Sequence, residues 1–144
     1  MNYTQIKQLK SFCESLHSQP DWKQVLKESH MGTDDFEVDN VRFIRADAIQ
    51  EILEDELSAD EYLLGCFTAS AIAEATGWPN FLIEAAQKGD QYEEIGKAMT
   101  GEHVAELARI YAYQDGYGHH FNGYDFSEEE LTINGFDYHV FDNQ

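Results

Sequence analysis

Apolar residues recur every three or four positions along most of the chain, which is the spacing of an amphipathic helix. Near the N-terminus this spacing predicts a helix that ends before Pro20 and a second helix that Asp21 caps. We interpret residues 30–39 as an acidic loop and residues 41–57 as a third helix. The apolar stripe of that third helix would consist of Val41, Ile44, Ala48 and Ile52.

The middle of the chain continues the helical pattern. Ser58 and Glu61 have the spacing of a capping box, in which each side chain satisfies a free backbone N–H group. The helix that they would open, residues 62–75, is apolar or small on nearly every side, which is typical of a buried helix. Gly77 would end this central helix.

Three more helices are predicted before residue 115. One begins near Pro79 and ends at Gly89, and a short one begins at Asp90. Thr100 can cap the last and longest helix. The stripe of this last helix would be Val104, Leu107, Ala108 and Tyr111.

The period changes from helical to alternating after Gly116. Asn134-Gly135 suits the two-residue turn of a β-hairpin, and alternating apolar residues flank it. The register that this turn sets pairs Ile133 with Phe136, Leu131 with Tyr138, Thr132 with Asp137 and Glu130 with His139. The sequence therefore predicts a mainly helical, single α+β domain over residues 1–144. Five to seven helices would occupy residues 1–115, and a glycine-rich turn and the hairpin would occupy residues 116–144.

Composition supports a folded protein. Of the 144 residues 42% are hydrophobic and 13% are aromatic, whereas acidic disordered chains lack aromatic residues. Cys13 and Cys66 both lie in apolar helical contexts, so we interpret them as reduced core residues of a cytoplasmic protein. The N-terminus lacks the apolar run of a signal peptide, and no stretch approaches the roughly 20 apolar residues that cross a bilayer.

The charge of the chain is strongly negative and unevenly distributed. Asp and Glu number 28 against 9 Lys and Arg, which gives a net charge of −19, and no Lys or Arg follows Arg109. Such a charge repels itself in the compact state, so a role other than folding must favour it. Nucleic acids and anionic membranes would be repelled, and we expect a basic protein as the partner.

The acidic residues form two clusters, over residues 34–61 and 125–142. On the predicted helix at 41–57, Asp47, Glu51 and Asp55 stand at i, i+4 and i+8, and carboxylates at this spacing lie about 6 Å apart along the axis. Duplex DNA carries one charge per roughly 1.7 Å of its axis, so rows of carboxylates can approximate an array of phosphates. The expected partner-binding face consists of Asp34, Asp35, Glu37, Asp39, Asp47, Glu51, Glu54, Asp55, Glu56, Asp60, Glu61, Asp125, Glu128, Glu129, Glu130, Asp137 and Asp142.

The segment between residues 116 and 125 has three glycines in eight residues and two adjacent histidines. We predict a structured turn there. His119, His120, Asp125 and His139 are residue types that bind zinc or another divalent metal. No H-x-x-x-H spacing, nucleophile motif or phosphate-binding loop accompanies them, so we predict no catalytic residue and no cofactor. Packing of the aromatic residues against the helices is the alternative that we favour.

Two stretches of the chain resemble a family of small proteins of unknown function that bacteriophages and related mobile elements encode. The first is Leu-Leu-Gly-Cys-Phe-Thr-Ala at 63–69 with Thr-Gly-Trp-Pro at 76–79. The second is Asp-Gly-Tyr-Gly-His-His-Phe at 115–121, which leads to Tyr-Asp at 124–125. The family has a motif that resembles Tyr-Asp-Gly, whereas Phe126 stands at the third position here. The resemblance implies a phage setting, in which small acidic proteins block host defence.

These observations lead to three hypotheses. The first is a non-enzymatic, phage-type inhibitor that binds a basic surface of a host defence protein, with DNA mimicry as its mechanism. The second is a structural or assembly adaptor whose acidity provides only solubility. The third is a small metal-dependent enzyme that uses His119, His120 and Asp125.

Overall fold

The structure is a computed structural model that describes all residues from Met1 to Gln144. It confirms the α+β class, with nine helices and four strands instead of the five to seven helices and one hairpin predicted. The chain divides into two compact units, which we describe separately. Unit 1 comprises residues 1–49 and 115–144, and unit 2 comprises residues 50–114.

Unit 1 contains two N-terminal helices, the whole sheet and one short helix. Its elements are α1 (Tyr3–Ser15), α2 (Trp22–His30), β1 (Asp35–Val38), β2 (Val41–Arg45), α9 (Tyr117–Phe121), β3 (Glu129–Ile133) and β4 (Phe136–Asp142). The predicted cap of α2 is confirmed, because the Asp21 carboxylate accepts the N–H group of Lys23. The sheet is antiparallel in the order β1-β2-β4-β3.

Two tight hairpins build this sheet. Asn134 and Gly135 both have positive φ, as the predicted turn requires, and all four predicted residue pairs of the C-terminal hairpin are present. Asp39 and Asn40 also have positive φ and join β1 to β2 in the same way. Asp and Asn tolerate this left-handed backbone better than most residues.

The predictions of a loop at 30–39 and a helix over 41–57 are wrong. Residues 35–38 and 41–45 are strands, and the helix begins only at Ile49. Phe36, Val38, Val41 and Phe43 point to one face of the sheet and are buried there with Leu9, Cys13 and Val25 of α1 and α2. A two-residue strand period explains these positions, whereas a helix would place Phe43 opposite the predicted stripe.

The regular elements of unit 2 are all helices. The helices of this part of the chain are α3 (Ile49–Ser58), α4 (Glu61–Gly65), α5 (Ala69–Thr76), α6 (Asn80–Lys88), α7 (Tyr92–Ala98) and α8 (Gly101–Asp115). Ile72, Ile83 and Ile95 are the buried centre of one core cluster in this unit. The α8 stripe is buried as predicted, and Thr100 accepts the N–H group of His103 at 3.2 Å.

The predicted central helix at 62–75 is two helices, α4 and α5, with a break at residues 66–68. Thr68 caps α5, and the amide of Gln87 donates to the backbone oxygens of Gly65 and Phe67 at 3.0 and 2.8 Å. These bonds satisfy carbonyl groups that an unbroken helix would pair internally. The prediction of a capping box at Ser58 is also wrong, since Asp60 caps α4. The prediction that Cys66 is a core residue is wrong as well, because Cys66 is exposed.

Helices α4 and α7 contact each other through two glycines. A Cβ atom on Gly65 would lie 1.8 Å from the backbone oxygen of Tyr92, and one on Gly96 would lie 1.9 Å from that of Glu61. Backbone therefore packs directly on backbone at this crossing. No helix of the structure combines the length and the apolar character needed to cross a membrane.

Candidate acidic interface

The sheet of unit 1 contains residues from both predicted acidic clusters. Asp35 and Glu37 lie on β1, and Glu129 and Glu130 lie on β3. These two strands are the opposite edges of the sheet, with β2 and β4 between them. Strands lie about 4.8 Å apart, so the two edges are roughly 14 Å apart. We call these four residues the acidic edges.

The register defines which of these side chains share a face. Asp35 pairs with Ile44, Ile44 with His139 and His139 with Glu130, so this row runs across one face of the sheet. Glu37 is two residues from Asp35 and therefore lies on the same face. Glu37 and Glu130 are both exposed.

The central strands place two basic groups on that face. The Arg42 guanidinium forms a bidentate pair with Asp35, with its Nε and Nη2 atoms 2.9 and 2.8 Å from the carboxylate oxygens. His139 Nδ1 lies 2.7 Å from Glu128 Oε1 instead of contacting Glu130. The ion pair with Arg42 neutralises Asp35, and Ile44 and Phe141 in the middle of this face are fully buried. The exposed carboxylates of the face, Glu37 and Glu130, therefore lie at its two edges.

The predicted row of Asp47, Glu51 and Asp55 on one helix is wrong. Asp47 lies in the turn before α3, where its carboxylate forms a bidentate pair with Arg45 at 3.0 and 2.6 Å. The hydrogen bonds from Arg45 hold the pKa of Asp47 below its ordinary value. Glu51 and Asp55 do lie on α3, one turn apart and exposed, while Glu54 and Glu56 are half-buried.

Several predicted interface carboxylates have structural roles. Asp39 accepts the N–H group of Asp21 at 2.9 Å, and Asp60 accepts that of Leu63 at 3.0 Å. Asp137 accepts the hydroxyl of Thr132 at 2.7 Å. Asp142 accepts the backbone N–H group and the hydroxyl of Ser18.

Asp125 belongs to a hydrogen-bonded loop that the fully buried Asn122 organises. The Asn122 amide donates to Asp125 Oδ1 at 2.8 Å and to the Ser127 carbonyl at 2.9 Å, and its oxygen accepts the N–H group of Tyr124. Hydrogen bonds from the hydroxyl and the N–H group of Ser127 lower the pKa of Asp125 below its ordinary value. No motif in the sequence singles out Asn122, because its role depends on the fold of this loop.

The lowered pKa of Asp125 makes the stability of unit 1 depend on pH. A carboxyl group whose pKa is lower in the folded state stabilises the fold above its unfolded-state pKa, and this contribution is lost as pH falls through the folded-state pKa. We expect Asp125→Asn to lower the urea midpoint near pH 7, and the difference from the natural protein to shrink as the pH falls below the ordinary pKa of an aspartate, about 3.9. The exposed carboxylate of Asp34 accepts no hydrogen bond, so Asp34→Asn is the control. A difference that stays constant with pH would contradict this assignment.

After these assignments, a smaller set of predicted carboxylates is exposed and has neither a hydrogen bond nor an ion pair. Four members belong to unit 1 and three to unit 2. They are Asp34, Glu37, Glu51, Asp55, Glu61, Glu129 and Glu130. These are the groups that a basic partner could contact without breaking an internal bond.

The histidines predicted as alternative metal ligands do not converge. His119 stacks on Phe126 with ring centroids 5.0 Å apart, and His120 lies edge-on to Phe121 at 4.8 Å. His139 pairs with Glu128, as described above. No group of three or more His, Cys, Asp or Glu side chains is arranged to hold a metal ion.

The predicted turn at 116–125 contains the single-turn helix α9, and α9 packs on the sheet. Phe121 lies 5.3 Å from Phe141 between ring centroids, and the Arg42 guanidinium lies 4.9 Å from the Phe121 ring. Gly118 permits the backbone of residue 126 to lie close to α9, since a Cβ atom on Gly118 would be 2.2 Å from the Phe126 backbone oxygen. The predicted burial of Phe121 is therefore confirmed, although it packs on the sheet and not on the helices, and the prediction that Tyr124 packs in the same way is wrong, because Tyr124 is 65% exposed.

No protein-family model matches the chain, and neither a curated protein nor a solved structure is significantly similar to it.

Proposed function

We propose that the protein is a non-enzymatic inhibitor that binds the nucleic-acid-binding surface of a basic host defence protein in the host cytoplasm, and that it does so by DNA mimicry. One observation carries the proposal: negative charge is in large excess on both units. Unit 1 has 15 acidic and 6 basic residues, a net charge of −9, and unit 2 has 13 and 3, a net charge of −10. Lys and Arg cannot neutralise this excess from within the chain.

The placement of the exposed carboxylates supports mimicry over simple solubility. The acidic edges are roughly 14 Å apart, which is similar to the roughly 12 Å width of the DNA major groove. The sheet between them keeps this separation fixed, because its residues are buried on the side that faces α1 and α2. Glu37 and Glu130 lie on the same face at the two edges, whereas Glu129 pairs with Val140 and lies on the opposite face. A basic groove that follows two phosphate strands could therefore contact Glu37 and Glu130 at once.

The mechanism would be electrostatic competition. A DNA-binding surface attracts phosphates and releases their counterions on binding, and an array of carboxylates can take the place of those phosphates. Binding of this kind weakens steeply as salt rises, because the charges are exposed to solvent. An adaptor that docks through an apolar surface would keep its affinity under the same conditions.

The test is displacement of labelled duplex DNA from restriction and CRISPR-type effectors, followed by fluorescence anisotropy. We expect the protein to displace the duplex from at least one effector, and the inhibition constant to rise at least tenfold between about 0.05 and 0.2 M salt. An inhibition constant that does not change with salt would support the adaptor hypothesis. Failure to displace DNA from every effector, together with no capture of basic proteins from host lysate at low salt, would overturn the proposal.

A further inference from the structure

Unit 2 carries an apolar groove of about 300 Å³ along α6 and α7. Leu82, Ile83 and Ala86 line it from α6, and Ile95 and Ala98 line it from α7. The floor is rigid, because Ile83 and Ile95 belong to the core cluster of the unit and are only 3% and 7% exposed. Leu82 is 56% exposed although it is a large apolar residue.

The shape of the groove suits a helix. The lining residues at 94, 95 and 98 of α7, together with the N-cap residue at 91, recur at the spacing of one helix face. Those of α6 follow the same spacing at 82, 83 and 86, and a short loop at 89–91 joins the two helices. An amphipathic helix can place its own apolar face between two such stripes, with anchors at i, i+3, i+4 and i+7.

The charge of the surroundings restricts the occupant. Glu94 lines the groove, Lys97 already pairs with Glu93 at 3.3 Å, and unit 2 has a net charge of −10. A second copy of this chain would bring the same negative charge to the contact and be repelled. A helix with Lys or Arg beside its apolar face would be attracted instead.

We infer that the α6–α7 groove is a docking site for a basic amphipathic helix of a partner protein. This site is separate from the acidic edges and goes beyond electrostatic mimicry, because its affinity comes from burial of apolar surface. Leu82 is the central anchor, since it is the most exposed large apolar residue in the lining. Glu94 and the net negative charge of unit 2 select the basic helix.

Synthetic peptides test the site on the full chain. The probe is a peptide of about 18 residues with Leu at the i, i+3, i+4, i+7 positions of a helix and Lys elsewhere. One control peptide has the same composition with Leu and Lys alternating, and another has Glu in place of Lys. We expect the first peptide to bind in titration calorimetry at about 0.15 M salt, and both controls to bind at least tenfold more weakly.

Two variants locate the binding. Leu82→Lys should raise the dissociation constant at least tenfold, whereas Phe81→Lys should change it less than threefold. Phe81 is 74% exposed on the same helix and does not line the groove. Ala98 lies on the opposite wall of the groove, so Ala98→Lys should raise the dissociation constant as much as Leu82→Lys does. Circular dichroism checks that all three variants keep their helices. The inference would be overturned if Leu82→Lys and Phe81→Lys had equal effects, or if the three peptides bound equally well. It would also be overturned if the protein formed a dimer that Leu82→Lys dissociates.

Failure here is distinguishable from failure of the proposed function. DNA displacement depends on exposed carboxylates, and neither Leu82 nor Ala98 carries charge. If the peptides do not bind but duplex DNA is still displaced with steep salt dependence, only the groove inference is wrong.

Discussion

Gly96→Ala is expected to lower the free energy of unfolding of unit 2 by about 3 kcal/mol or more, at the upper end of what overpacking costs. The added methyl group would lie 1.9 Å from the backbone oxygen of Glu61. Backbone cannot rotate away as a side chain can, so α4 and α7 must separate. Urea unfolding followed by the fluorescence of Trp78, in a Trp22→Phe background, reports this change in unit 2.

Gly101→Ala is the matched control for this substitution. Gly101 is the first residue of α8, and a Cβ atom there would contact nothing within 4 Å. Alanine restricts the unfolded chain more than glycine does, so we expect a change between 0 and about 1 kcal/mol in the stabilising direction. Equal stability of the two variants would contradict the close contact between α4 and α7.

Phe43→Ala is expected to destabilise unit 1 by about 3–5 kcal/mol, the usual cost of truncating a buried phenylalanine. Phe43 is fully buried on β2 and stacks on Phe36 with ring centroids 5.0 Å apart. Its removal leaves a cavity between the sheet and the N-terminal helices. The measurement is urea unfolding followed by Trp22 in a Trp78→Phe background.

Phe136→Ala provides the comparison for Phe43. Phe136 begins β4, is 43% exposed and lies under the Arg45 guanidinium at 4.3 Å. The loss should be about 1 kcal/mol, mostly from the contact with Arg45. A helix over residues 41–57 would place Phe43 on its polar side, so a Phe43→Ala effect as small as that of Phe136→Ala would contradict the strand.

Local signals were sufficient for some elements and misleading for others. Asn134-Gly135 fixed the C-terminal hairpin and its register, because the turn type sets which residues are opposite each other. Asp39-Asn40 makes the equivalent turn, but the helical spacing of Val41, Ile44 and Ala48 obscured it. The β-branched and aromatic residues of β2 favour a strand, and this preference prevailed.

Other features depend on contacts between residues that are distant in the sequence. The break between α4 and α5 is stabilised by Gln87, about twenty residues further along the chain. The pairing of β2 with β4 unites residues from opposite ends of the chain. The sequence around residues 65–67 does not indicate the contact with Gln87, and the sequence of β2 does not indicate that it pairs with β4.

The predicted acidic face illustrates the same limit. Its residues were identified by charge, and charge alone does not separate a free carboxylate from one that caps a helix or pairs with arginine. Asp35 and Asp47 pair with Arg42 and Arg45, and Asp60 caps α4. Glu37, Glu129 and Glu130 stay exposed, and only the strand order places them at opposite edges of one sheet.

The measurement that tests the central claim most directly compares two triple variants with the same change in net charge. Glu37, Glu129 and Glu130 are replaced by Gln in the first variant. The exposed Glu74, Glu84 and Glu102, which lie outside the predicted face, are replaced in the second. In displacement of duplex DNA from the same effector, we expect the first variant to lose at least tenfold in inhibition and the second less than threefold. Equal losses would contradict a defined DNA-mimicking interface at the acidic edges.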